Sequence, residues 1–349
     1  MTARRSRGRP LAGLVVVGLW LGGCAVVPQS RTTVERGPSE VTGFVQRVTT
    51  TADDTLIELA REYDLGYIEL VIANPEVDPW LPGEGEIILP TAYVLPPGPR
   101  EGIVVNLAEQ RLFLFREGEA PVTFPIGVGR DGFVTPTGST KVVRKKANPT
   151  WYPGPSARAD DPTLGRAVGP GPDNPLGTHA IYLGWPAYLI HGTNKPYGIG
   201  RPVSRGCIRL YPEDIVKLFE LVDVGVPVRV INEPIKIGWM RGELFVEVHP
   251  TLANATEIEE SGSFVADAIP DIREDLLAVA GEEAARVDWD RVRDAVTRRH
   301  GIPVQVTRRR VEDPFAPLRG LFGRIFSTGG SGDSPSAFAA TASGAVAPR

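Results

Sequence analysis

Between residues 100 and 233 the chain is a succession of short β-branched and aromatic runs, each closed by glycine or proline. Ile103–Leu107 and Arg111–Phe115 flank Ala108-Glu109-Gln110, the pattern of a hairpin. Val122–Val128, Lys141–Val143, Ala180–Leu183, Tyr188–Ile190 and Val226–Val230 read as further strands. Runs this short cannot build long helices. Only Pro212–Val222 is clearly helical, with Ile215, Leu218, Phe219 and Val222 on one face. Many strands with one main helix predict a mainly β fold, a sandwich or barrel-like domain with a single core. The 39 glycines and 33 prolines supply its turns and linkers. The stretch Asn148–Pro175, rich in Pro, Gly and Asp, is expected to be a lid-like loop.

The flanking segments differ. Residues 43–93 read strand, helix, helix, strand. A polar turn at Thr51–Leu56 leads into a helix carrying Leu56, Leu59 and Ala60, and a second helix over Tyr67–Ala73 stops at Asn74-Pro75. Ile87–Leu89 closes this small βααβ unit. Residues 234–310 predict a small α/β appendage: a strand at Glu243–Pro250, helices near 272–279 and 287–299, and a strand at Val304–Val306. Residues 311–349 are rich in Pro, Gly, Ser and Ala and are expected to be disordered.

The chain opens with Arg4, Arg5, Arg7 and Arg9, followed by an apolar run from Leu11 to Leu21. That run is shorter than the ~20 residues a membrane helix needs and reads as an export signal over residues 1–23. It ends in Leu21-Gly22-Gly23-Cys24, which resembles a bacterial lipobox. The resemblance implies lipidation of Cys24 and a membrane anchor facing the periplasm. Ala25 in place of Asp favours the outer membrane. Residues 24–42 would be a tether. The net charge of −4 offers no basic field for nucleic acid.

Two cysteines are too few for a disulfide framework, and with four histidines they show no metal-ligand spacing. The second, Cys207, stands in Val203-Ser204-Arg205-Gly206-Cys207-Ile208-Arg209-Leu210, after His191-Gly192-Thr193. A histidine ending one strand and a cysteine opening the next segment can meet across a sheet, as base and nucleophile. Gly206 would let the chain turn sharply, and the N–H groups of Gly206 and Cys207 could face an oxyanion. Arg209 can grip a carboxylate by its fork. On spacing alone, a small core cysteine and a hydrogen-bonded structural histidine fit as well.

The longer match decides between them. His-Gly, a gap, then Ser-x-Gly-Cys with an aliphatic residue and Arg resembles the active-site motif of the L,D-transpeptidases, the YkuD-type catalytic domain. Glu101–Leu112, Thr135–Gly138, Gly171–His179 and His191–Tyr197 extend the likeness, and Arg205 stands where many relatives carry His. The 43–93 unit resembles a LysM domain through Asp54-Thr55-Leu56, Ile72–Pro75 and Gly85–Pro90, which implies binding of peptidoglycan glycan strands. The family implies that Cys207 attacks the bond between diaminopimelate and terminal D-Ala of a tetrapeptide stem. His191 moves the protons, oriented by the Gly192 carbonyl, and Gly206 belongs to the oxyanion pocket. The acyl group passes to an amine, of another stem or of a lysine-bearing envelope protein. Arg209, Ser204, Tyr182 and Trp151 are expected on the substrate side, and carbapenem-type compounds as inhibitors. No cofactor is implied. A hydrolase of the same fold and a non-catalytic wall-anchoring protein are the alternatives.

Overall fold

The structure is a computed structural model that describes residues 39–308 except 267, 269 and 270. The leader, Cys24, most of the tether and the 311–349 tail lie outside the described residues. The tether expectation is corrected at its end. Val41–Gly43 is strand β1, paired antiparallel with β4 (Ala92–Val94), because Val41 is buried there.

Between these two strands lies the βααβ unit. Strand β2 (Gln46–Thr50) pairs antiparallel with β3 (Gly85–Leu89). Helix α1 (Leu56–Glu62) starts at Thr55, whose Oγ1 accepts from Glu58 N and donates to Glu58 Oε2. Helix α2 (Tyr67–Ala73) is buried on every side. It ends where the Asn74 side chain donates to Leu70 O and Ile88 O and accepts from Ile88 N, tying the helix to β3.

An eight-stranded sheet forms the central region. It contains β5 (Gly102–Asn106), β6 (Arg111–Phe115), β7 (Val122–Pro125), β9 (Gly138–Ala147), β10 (His179–Leu183), β11 (Leu189–His191), β13 (Ile208–Arg209) and β14 (Pro227–Ile231), in the order β13-β11-β10-β9-β14-β5-β6-β7. Strand β9 pairs with β14 through Gly138–Lys141 and with β10 through Val142–Ala147. One long strand thus passes from one neighbour to the next, and the sheet curls into a half-barrel rather than stacking as a sandwich. The expected Val122–Val128 strand is interrupted. Gly127 leaves the sheet edge to exchange two backbone hydrogen bonds with Arg209, and β8 (Val128–Gly129) pairs with β12 (Pro202–Ser204) instead. Helix α4 (Pro212–Leu221) buries Ile215 and Leu218 in the core shared with Ile181 and Ile190. A shorter helix, α3 (Pro155–Asp160), lies in the 148–175 loop.

The C-terminal region adds a sheet of β15 (Ile235–Met240), β16 (Glu243–Val248) and β17 (Val304–Gln305), with α5 (Leu252–Ser261), α6 (Arg273–Ala280) and α7 (Trp289–Arg298). Arg241 and Gly242, both at positive φ, make the two-residue turn between β15 and β16. Strand β15 and helix α5 were not anticipated.

Charged side chains join these regions. Glu69 of α2 meets Arg111 of β6 at 2.6 Å, both buried. Lys236 Nζ lies 2.5 Å from Glu109, 2.9 Å from Glu247 and 2.7 Å from Val94 O, while His249 lies 2.6 Å from Glu247. Asp214 of α4 is also buried. Desolvation, then the neighbouring Asp64 of the βααβ unit, pushes its carboxyl up to about 7, against the pull of Lys217. A carboxyl raised on folding favours the folded state only where it stays protonated. Its contribution is complete below the ordinary carboxylate range and is lost as pH rises through about 7. Asp214→Asn is therefore expected to raise the urea midpoint at pH 8 and to leave it nearly unchanged at pH 4.

Candidate active site

Strands β11 and β13 run parallel in the register Ile190 with Ile208 and His191 with Arg209. Side chains alternate along a strand. Ile190 and Ile208 enter the core, so Leu189 and His191 face the other way, beside Cys207 and Arg209 of the neighbouring segment. All four line one cavity of about 930 Å³. Trp151 and Tyr182 line it as well, and Arg144 sits 3.7 Å over the Tyr182 ring.

His191 is buried, and its Nδ1 lies 2.6 Å from Gly192 O. A carbonyl only accepts, so Nδ1 carries the proton and Nε2 keeps its lone pair. Burial, then the charge of Arg209, pushes the imidazole down to about 3. At neutral pH it is uncharged. The Cys207 thiol is pushed up by burial, against a hydrogen bond from Leu189 N–H and the charge of Arg209. Its sulfur donates weakly to Ala187 O at 3.6 Å. The resting pair is thus a neutral thiol and a neutral imidazole. Alkylation of Cys207 by iodoacetamide should rise with pH to an inflection above that of an ordinary thiol, measured by stopped-time mass spectrometry. A plateau already reached at pH 6 would contradict this state.

Arg209 has no salt-bridge partner among the described residues, and its Nε is buried without an acceptor. Burial pushes its pKa down, as do Arg205 and Arg130. A desolvated cation facing an open cavity is suited to an anionic ligand.

Two expectations are corrected by the turn before Cys207. Gly206 N–H donates to Ser204 Oγ at 3.1 Å, so it is not free to face an oxyanion. Ser204 is fully buried and its hydroxyl donates to Cys207 O at 2.5 Å, so its polar atoms hold the turn rather than substrate. Gly206 sits at φ +95°, where a side chain is strained, and a Cβ there would lie 3.0 Å from the Tyr188 ring. Thr135 Oγ1 donates to Gly206 O and fixes the turn from the other side.

Sequence reasoning missed several contributors. The Leu189 N–H holds the Cys207 thiol down against burial, and a backbone donor has no sequence signature. Ala187 bends the approach at φ 67°, without the Gly or Asn that signals such a turn. Asp160 on α3 meets Arg205 at 2.5 Å and Arg130 at 2.9 Å, linking the 148–175 loop to the Cys207 segment. Asn174 ties the base of that loop by donating to Pro149 O and Gly169 O. His179 packs against Phe219 with the rings tilted, and His249 is held in the Lys236 cluster.

The curled sheet brings a histidine and a cysteine to one cavity, a pairing suited to a thiol with a neighbouring base. Residues 100–230 match the family profile described as the L,D-transpeptidase catalytic domain. The chain is 39% identical over 268 residues to "Probable L,D-transpeptidase YcfS" of Escherichia coli, covering 74% of this chain and 82% of that relative. It is 40% identical over 255 residues to "Probable L,D-transpeptidase YbiS" of the same species, covering 71% and 81%. The chain belongs to the L,D-transpeptidase family.

Proposed function

We propose that this protein is a peptidoglycan L,D-transpeptidase that uses Cys207 as nucleophile and His191 as base and acid. One observation carries this reading: the uncharged His191, with its Nε2 lone pair free, shares a strand face and a cavity with the Cys207 thiol and the unpaired Arg209.

The stem peptide enters the cavity with a carboxylate on Arg209. His191 Nε2 takes the thiol proton as Cys207 Sγ attacks the carbonyl between diaminopimelate and D-Ala. The oxyanion is held by backbone N–H groups beside the sulfur. His191 returns its proton to the departing D-Ala nitrogen, leaving a thioester. An acceptor amine then attacks, His191 takes its proton, and the thiol is regenerated as the new amide forms. This cycle needs no cofactor. A neutral resting pair suits it, because the proton moves only when a carbonyl is present to receive the thiolate.

The same reading makes the βααβ unit a LysM-type glycan-binding module and Cys24 a lipid anchor that holds the enzyme in the periplasm, at the outer membrane. The acceptor is a second stem or a lysine of an envelope protein, and a carbapenem would acylate Cys207. Incubation with purified disaccharide-tetrapeptides should release D-Ala and yield cross-linked dimers. Free tripeptide without dimer would overturn transfer in favour of hydrolysis.

A further inference from the structure

The βααβ unit holds both ends of the segment that carries Cys207. Ahead of it, Tyr67 N donates to Ile199 O and Ile68 N to Gly200 O. Gly200 lies at φ +73°, and a Cβ there would come within 2.2 Å of Tyr67 N, so only glycine permits this approach. After the segment, Tyr211 Oη donates to Leu65 O, and Arg61 grips Glu213 through both carboxylate oxygens.

Arg201 stands at the first of these junctions and lines the Cys207 cavity. Its guanidinium lies 3.9 Å over the Tyr67 ring. On its other side Glu259 of α5 is 3.6 Å away, an attraction longer than a hydrogen bond. The Arg201 Nε is buried without an acceptor. Of the three arginines that line the cavity, Arg205 is paired with Asp160, while Arg201 and Arg209 each have a buried Nε without an acceptor. A tetrapeptide stem ending in diaminopimelate and D-Ala carries a terminal carboxylate and a side-chain carboxylate.

We propose that Arg201 is a second carboxylate anchor, for the side-chain carboxylate of the stem's diamino acid, and that Tyr67 is its positioning residue. This rests on the proposed function for its choice of ligand. An N-terminal unit that reads as a separate glycan binder thereby also sets peptide specificity in the cavity. Tyr67 acts through the face of its ring, which fixes the guanidinium plane.

The test is calorimetric binding to the Cys207→Ala protein of two tetrapeptide stems, one with the diamino-acid side-chain carboxylate free and one with it amidated. The free stem is expected to bind about tenfold tighter, the worth of a charge-assisted hydrogen bond. Arg201→Gln should abolish the preference while leaving the affinity for the amidated stem unchanged. Tyr67→Leu should reduce the preference, and Tyr67→Phe, which keeps the ring, should restore it. A preference unchanged in folded Arg201→Gln protein overturns the proposal, and so does equal binding of the two stems. Because binding is measured without turnover, absence of D-Ala release by the unsubstituted enzyme would instead count against the proposed function.

Discussion

Cys207→Ala protein is expected to fold and to release no D-Ala from a tetrapeptide stem, a loss of about 10⁴-fold or more. Two features of the site set the size of this effect. The thiol is the cavity's one cysteine, and no hydroxyl stands in its place, because Ser204 Oγ is turned into the motif and bonded to Cys207 O. The fold should survive, because Cys207 is only half-buried and its sulfur makes one long hydrogen bond, to Ala187 O. Thermal unfolding within a few degrees of the parent would show that the loss is chemical. His191→Gln should lower the same activity strongly, since no other imidazole lines the cavity. D-Ala release that persisted in folded Cys207→Ala protein would remove the assigned nucleophile.

The largest expected effect on stability lies elsewhere, at Lys236. Burial alone would push this lysine down, yet Glu109 and Glu247 beside it push its pKa up. The cluster joins the turn between β5 and β6, the β4 strand and the β15–β16 hairpin. Lys236→Met would leave two buried carboxylates facing each other without their cation. Removing one partner of a buried pair costs about 3–5 kcal/mol, and two carboxylates are stranded here. The penalty should be greatest near pH 8 and should shrink toward pH 4, because the stranded groups escape repulsion by taking up protons. Urea denaturation of parent and variant across that range measures it. A loss below about 1 kcal/mol at pH 8 would contradict the assignment of charge.

Lys236 also shows why part of the fold was hidden in the sequence. In β15, Ile235 and Ile237 are the half-exposed positions, while Lys236 and Gly238 point inward. Hydrophobic alternation finds only the face on which Ile235 and Ile237 pack against the C-terminal core, and the buried charge on the other face is matched in part by Glu109, more than 100 positions away. Where each run carried its own signal, as in the Ile103–Phe115 hairpin or the Pro212–Leu221 helix, the elements could be read directly. The half-barrel could not, because it depends on β9 serving two neighbours in turn.

The site divides in the same way. That His191, Cys207 and Arg209 would share a cavity could be anticipated from their order along adjacent segments, but their roles came from the longer likeness to the family motif. The roles of Gly206 and Ser204 were misread for a local reason: in a turn this tight, the Ser204 hydroxyl captures the Gly206 N–H that would otherwise be free. Leu189 N–H and Asp160 had no motif to mark them. Arg201 carries no motif signal, and only the packing of α2 against the approach to Cys207 gives it a neighbour in Tyr67.

The central claim is that Cys207 becomes acylated by a stem peptide. The most direct measurement is intact-protein mass spectrometry after rapid acid quench of enzyme mixed with tetrapeptide stem and no acceptor. The account predicts a mass increase equal to the mass of the stem minus that of free D-Ala, mapped by proteolysis to the peptide containing Cys207. D-Ala release with no adduct at Cys207, or with the adduct on another residue, would contradict it.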